Sequence, residues 1–302
     1  MTTLLLVYLR LAGGVFLGWL LGRWLPPSTA RGLGLGLFWI GVPLSNFVFL
    51  RRADLSGAIW LAPVAAWGAI TLGAGTVWLW SHWWPGGRDR PARGSLILSA
   101  MVGNTGFFGF PISLALVGEQ YFGWAVFYDL LGTTLGANSL GVLLAAYFGR
   151  QAKRRWQLGW AVVNNPVWWG VAAGLLSRPY TFAPRIETSL LALGWTIVGL
   201  SLILIGMRLS YLSSWQQVRV VWPSLVLKML VIPLIAGLGL AAVGLEGTPR
   251  LAIVLQVAMP PAFATLAIAE AYDLDRDLTA AALAAGSASL LLTLPIWLLL
   301  FG

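Results

Sequence analysis

The chain has 302 residues, of which 59% are apolar and only 10% charged, against about 25% charged in soluble domains; this is the composition of a membrane protein. At about 20 residues per crossing, ten crossings use roughly two thirds of the chain, which leaves no room for a soluble domain. The net charge of +9 sits in short gaps between apolar runs rather than on a polar face, which argues against nucleic acid, and zero cysteines with a single histidine, His82, exclude disulfides, thiolate catalysis and most metal sites.

Apolar runs predict ten spans: Thr2–Gly22, Gly32–Phe49, Leu55–Trp80, Ser95–Val117, Trp124–Phe148, Trp160–Ser177, Ser189–Met207, Val218–Val243, Leu251–Ala269 and Leu278–Phe301. Span 1 is expected to stay in the protein. Its Met1-Thr2-Thr3 start carries no base and no small-residue cleavage site follows. Arg10 lies within it, near enough to an end to snorkel along its stem. Span 2 carries Val42-Pro43-Leu44-Ser45-Asn46, a kink signal. Trp78, Trp80, Trp83 and Trp84 mark the end of span 3 as interfacial, since indole prefers the headgroup region.

Span 4 holds the densest helix-breaking run, Gly103-Asn104-Thr105-Gly106-Phe107-Phe108-Gly109-Phe110-Pro111. Pro111 lacks an N–H and is expected to free the Phe107 carbonyl. Span 5 carries Asp129 about two turns in, followed by Thr133, Thr134 and Asn138. An intramembrane carboxylate is costly enough to count as a functional candidate, here a proton carrier or a structural partner of a cation. Asn138 is two and a half turns further on and faces the other way. A short basic linker, 149–159, then leads to the second half.

Span 8 buries Lys228 near mid-membrane, where snorkelling is hard; it is expected to attract an anion or to satisfy a buried acceptor such as Asp129. Span 9 reads Ala258-Met259-Pro260-Pro261-Ala262, whose prolines free the carbonyls of Gln256 and Val257. Arg208, closing span 7, is accounted for by the distribution of loop bases. Glu119 and Glu270 read as loop or capping charges.

Loop charges set the orientation. The gaps after odd-numbered spans hold Arg23, Arg31, Arg88, Arg90, Arg93, Arg150, Lys153, Arg154, Arg155, Arg208, Arg219 and Arg276, and those on the other side hold Arg51, Arg52, Arg178, Arg185 and Arg250. Twelve against five places the odd loops in the cytoplasm and both termini outside a cell (inner) membrane.

Five spans precede the linker and five follow, so the halves, 1–148 and 160–302, run in opposite senses if they share a fold. Glu119-Gln120-Tyr121 recurs as Glu270-Ala271-Tyr272 at an offset of half the chain. Interrupted segments at corresponding places in two halves point to a transporter's binding site. Broken backbone at membrane depth is tolerated only where it is buried in protein or lines a cavity. If spans 4 and 9 cross, their half-helix starts offer free N–H groups and partial positive charge to an anion. The fold class expected is an all-α polytopic membrane protein of ten spans in two inverted five-helix repeats, with broken, crossing spans 4 and 9.

At these residues the chain resembles the auxin efflux carrier family, which includes plant auxin exporters and bacterial permeases for small carboxylates. The likeness covers nearly the whole length. It rests on residues 103–111, on Asn165-Pro166 with Gly170 and Gly174, on Gly206-Met207-Arg208, and on Lys228-Met229-Leu230-Val231-Ile232-Pro233. It rests further on Ala258-Met259-Pro260-Pro261 through Ala269-Glu270-Ala271-Tyr272-Asp273-Leu274 to Leu294-Pro295.

The resemblance implies a fold shared with bile acid sodium symporters. Spans 1, 2, 6 and 7 would form a scaffold, often dimeric, and spans 3–5 and 8–10 a transport domain that moves as an elevator. The short linker departs from the long regulatory loop of the plant exporters, which points to a compact prokaryotic-type member. Substrate contacts implied are Asn104 and Thr105, with Pro260, Pro261 and Ala262 opposite and Ser45 and Asn46 from the scaffold. Gly103, Gly106, Gly109, Pro111 and Met259 would shape the crossing, and Asp129 and Lys228 would serve coupling or charge. The Ser45 hydroxyl has the alternative of bonding its own helix.

The function expected is secondary transport of small organic anions such as carboxylates, without enzyme activity, cofactor or metal. Neither crossing segment has an acidic residue, which favours proton-coupled or uncoupled flux over Na⁺. The alternatives are a sodium-coupled organic anion symporter and a membrane sensor or partner subunit that does not transport. An intramembrane hydrolase has only His82 to work with.

Overall fold

The computed structural model describes residues 2–82, 89–149, 166–210 and 217–302, apart from the side chains of residues 2–8, 10, 11 and 82. The predicted roles of Trp83, Trp84, Arg88, Arg150, Lys153, Arg154, Arg155 and Asn165, and of the Arg10 and His82 side chains, lie outside the described residues. Twelve helices follow in order: α1 (Thr2–Trp24), α2 (Pro27–Leu50), α3 (Leu61–His82), α4 (Arg90–Met101), α5 (Thr105–Val117), α6 (Glu119–Phe148), α7 (Val167–Leu176), α8 (Pro184–Ser210), α9 (Val218–Ala242), α10 (Gly247–Val257), α11 (Phe263–Tyr272) and α12 (Arg276–Phe301). No strand occurs among the described residues.

Among the described residues six helices, α2, α3, α6, α8, α9 and α12, are long and apolar enough to cross a membrane. Ten apolar runs reduce to six long helices for physical reasons. Runs 4 and 9 are each split by a break into two helices, run 6 is described only from Val167, and much of the first half of run 1 lies outside the residues whose side chains are described. Helix starts are set by short polar caps and prolines. Asp89 accepts from the Ala92 N–H ahead of α4, and Asp275 accepts from the Leu278 N–H at 2.9 Å ahead of α12. Between α5 and α6 the chain turns at Gly118, whose φ of 81° suits glycine.

Three π turns share one local cause. Leu37–Gly41 precedes Pro43, Thr105–Gly109 precedes Pro111, and Leu227–Val231 precedes Pro233, each turn ending two residues before the proline. A proline ring clashes with the carbonyl four residues back and offers no N–H. Those carbonyls belong to Trp39, Phe107 and Met229, in the middle of each π turn, so the helix widens where the proline cannot close it. Two further π turns, Tyr128–Thr134 and Ala137–Gly141, interrupt α6. Asp129 and Lys228, two of the three charges placed inside spans from sequence, both stand on π turns.

The chain forms two compact units. Unit 1 comprises Met1–Ile59, Gly106–Val126 and Val163–Tyr211. In it α1 lies against α8 through glycines: a Cβ on Gly18 would stand 2.0 Å from the Ile203 carbonyl oxygen, and one on Gly206 would stand 1.9 Å from that of Val15. Close backbone approach of this kind is how helices associate where solvent supplies no hydrophobic drive. Helix α7 meets α2 likewise, Gly170 against the Pro43 carbonyl. Phe49, Phe122, Trp195 and Phe110 stack edge to face at 5.2–5.6 Å.

The C-terminal end of α2 is held by arginines. Arg178 donates to the Leu50 and Ala53 carbonyls, both at 2.8 Å, and Arg51 donates to Glu187 at 3.0 Å with its guanidinium 3.8 Å over the Phe182 ring. Glu119, at the start of α6, accepts from Trp195 at 3.1 Å and pairs with Arg52.

Unit 2 comprises Trp60–Thr105, Phe127–Val162 and Leu212–Gly302. Helix α3 packs on α4, with Gly73 beneath the Ala100 carbonyl, and on the π turn of α6, with Gly132 against Ala66. The Trp67 indole donates to the Leu131 carbonyl on that π turn at 3.0 Å. Helix α12 runs beside α9 and the break between α10 and α11. Its Gly286 is needed there, because a Cβ would stand 2.7 Å from Pro261 Cδ and 3.2 Å from Pro260 Cβ.

Candidate functional site

The two breaks meet inside unit 2. Helix α4 stops at Met101, since Val102 turns extended (φ −106°, ψ 112°), and α10 stops at Val257, since two prolines follow. Gly103 and Pro261 then face each other as an isolated antiparallel bridge. The Asn104 N–H donates to the Pro260 carbonyl at 2.7 Å and the Ala262 N–H donates to the Val102 carbonyl at 2.9 Å. Two residues beyond the bridge on each strand, α5 and α11 begin. The crossing expected from the Gly/Pro runs is thus present as a two-stranded contact between residues more than half the chain apart.

The remaining groups around the bridge are polar and buried. Asn104 and Thr105 are almost fully enclosed. The Thr105 hydroxyl donates to the Asp129 carboxylate, and Thr134 gives the same carboxyl group a second side-chain hydrogen bond. Asp129 therefore joins the first turn of α5 to α6 through hydroxyls. Asn138 donates to the Thr134 carbonyl of its own helix at 2.8 Å.

Lys228 is 2% exposed, and its Nζ donates to the Val257 carbonyl at 2.7 Å. That is the carbonyl Pro261 leaves without its helical donor. Of the roles open to Lys228 from sequence, the structure thus shows a buried acceptor, and that acceptor is backbone. The Gln256 carbonyl, freed by Pro260, accepts from the Met259 N–H at 3.3 Å. Gly103 leaves room for the ammonium, since a Cβ there would stand 3.2 Å from Nζ.

The other named residues fall elsewhere. Gly106, Gly109 and Pro111 lie in α5 within unit 1, past the break, and Pro111 is the second residue of the α-helical part that follows the π turn. Ser45 and Asn46 also lie in unit 1, on α2. The Ser45 hydroxyl donates to the Val42 carbonyl at 3.0 Å, the back-bonding alternative weighed from sequence. Asn46 is 0% exposed, and neither atom of its amide has a hydrogen-bond partner among the described residues. Glu270 pairs with Arg276 at 2.5 Å outside the crossing.

Sequence reasoning did not find the pairing of Lys228 with Val257 or that of Thr105 with Asp129. A signal for the first existed: a mid-span lysine and a carbonyl orphaned by proline are complementary needs, but only the fold brings them together. In chemical terms the crossing gathers helix starts, an amide and an ammonium in a low-dielectric setting, a set suited to holding an anion without reacting with it.

Known proteins agree with a transport role. The family model described as membrane transport protein matches residues 1–155 and 159–298. An uncharacterized transporter of Methanothermobacter thermautotrophicus is 29% identical over 261 residues, covering 85% of this chain and 84% of the relative. An uncharacterized transporter of Methanocaldococcus jannaschii is 27% identical over 210 residues, covering 68% and 67%. With the family model matched over nearly the whole length and the broken-helix motifs meeting at one bridge, the chain belongs to the membrane transport protein family, that of the auxin efflux carriers.

Proposed function

We propose that this membrane transporter is a secondary carrier of small organic anions, carboxylates being the class its site chemistry suits, and that spans 4 and 9 supply the binding point. The observation that carries the reading is the Gly103–Pro261 bridge with two helices starting beside it. A helix start presents N–H groups and partial positive charge, and broken helices at corresponding places in two halves are where transporters bind. Asn104 would donate its amide to the carboxylate, with Thr105 and Ala262 beside it and Pro260 and Pro261 shaping the backbone. Ser45 and Asn46 are proposed contacts from the scaffold. Asn46 fits better than Ser45, because its amide is unspent whereas the Ser45 hydroxyl is engaged.

The proposal extends to architecture. Ten spans form two inverted repeats, 1–148 and 160–302, joined by 149–159, with both termini outside a cell membrane. Spans 3–5 and 8–10 move as an elevator against a scaffold of 1, 2, 6 and 7 that pairs as a homodimer. Flux is uncoupled or driven by protons carried on Asp129. The test is uptake of labelled carboxylates into proteoliposomes with pH, Na⁺ and voltage gradients imposed separately. Uptake driven by pH or voltage and indifferent to Na⁺ is expected. Strict Na⁺ dependence would replace the reading with a sodium symporter, and bound but untransported anion would replace it with a sensor.

A further inference from the structure

We infer that Lys228 is a tethered cation: its ammonium occupies the cation position of the crossing, serving there in place of a bound metal ion and as countercharge to the anion. The second half of the inference rests on the carrier reading, and the first does not.

Four observations converge. Nζ donates to the Val257 carbonyl, which is both orphaned by Pro261 and the C-terminal end of α10, where partial negative charge accumulates. Unwound carbonyls and helix C-terminal ends are the groups that coordinate alkali cations in transporters built on broken helices. The ammonium abuts the bridge itself, 3.2 Å from where a Gly103 Cβ would be, and the Met259 carbonyl oxygen lies 3.4 Å from the same point. One turn before Lys228 on the same face of α9, the hydroxyl of Ser224 is fully buried and has no hydrogen-bond partner among the described residues. A lysine on a π turn reaches the orphaned carbonyl and brings a positive charge to that end of the helix, which an apolar residue could not do.

The experiment compares purified wild type with Lys228→Ala and Lys228→Gln. Ala leaves a space; Gln keeps a donor for Val257 and removes the charge. Melting points are read without anion in NaCl, KCl and choline chloride at equal ionic strength. Binding of acetate, succinate and an aryl acetate is then measured. The wild type should melt alike in all three salts, while Lys228→Ala should lose several degrees and regain part of them in NaCl alone. Lys228→Gln should fold close to wild type but bind carboxylate at least about tenfold more weakly.

Selective Na⁺ stabilisation of the wild type overturns the inference, as does an equal loss for Lys228→Ala in every salt, which reports lost packing only. If Lys228→Ala does not fold, the wild-type salts and Lys228→Gln decide. If no carboxylate binds the wild type, the carrier reading fails while the melting experiment still decides the cation.

Discussion

At the scale of single residues, the polar groups of this protein are few enough to be followed one by one. The Asp129 carboxylate is held by the Thr105 and Thr134 hydroxyls, so Asn in its place keeps an acceptor and gives up the titratable proton. Asp129→Asn should therefore preserve folding and anion exchange while abolishing the stimulation of uptake by a pH gradient; proteoliposomes under imposed gradients check this, and undiminished stimulation would remove Asp129 from the proton path. Asn104→Ala should weaken carboxylate binding by about 1–3 kcal/mol, the cost of an unmatched buried carboxylate partner. Glu270→Ala, which breaks only an exposed pair with Arg276, should leave binding within about 0.5 kcal/mol. Titration of both variants with one labelled carboxylate settles the order, and equal losses would count against the crossing as the binding point. Residue identities announced these positions because charge and proline are conspicuous in apolar sequence. Their partners were hidden, since Lys228 and Val257, or Thr105 and Asp129, meet only once the spans have packed.

At the scale of elements, proline explains more than the sequence reading drew from it. Pro260 and Pro261 were read as a break, and the break is where they lie. Pro111 was expected to free the Phe107 carbonyl, and the helix widens there as a π turn, while the chain parts earlier, at Val102–Asn104. The difference is context: two adjacent prolines end a helix, whereas at Pro111 a single proline is accommodated by a π turn just before it. Pro43 and Pro233 behave like Pro111. The end of α2 offers a check on a different element. Arg178 satisfies the Leu50 and Ala53 carbonyls from a loop distant in sequence. Arg178→Ala should cost about 1–3 kcal/mol by leaving both acceptors unmet. Its thermal unfolding in detergent should show the loss while carboxylate affinity stays near wild type.

At the scale of the whole molecule, composition alone gave a helical membrane protein, and the distribution of breaks pointed to the place where spans 4 and 9 meet. The glycine contacts of α1 with α8 and of α7 with α2 were not legible as such, because small residues are scattered through every span and only some meet a neighbour. Orientation follows from loop charge. Tags at both termini of the intact protein should be reachable by impermeant reagents from outside the cell, and the 149–159 linker should be protected; the opposite pattern would invert the topology.

The bridge between Gly103 and Pro261 also bears on how such a chain is made. When the first five spans have left the ribosome, the Val102 carbonyl and the Asn104 N–H still lack the partners that the ninth span brings. Each unmet group in hydrocarbon costs several kcal/mol. The early half must therefore wait in the membrane with an open wound in span 4, sheltered by water or by the insertion machinery, until the late prolines arrive to close it. Assembly of the chain in the membrane thus depends on the same bridge that is proposed to bind the anion.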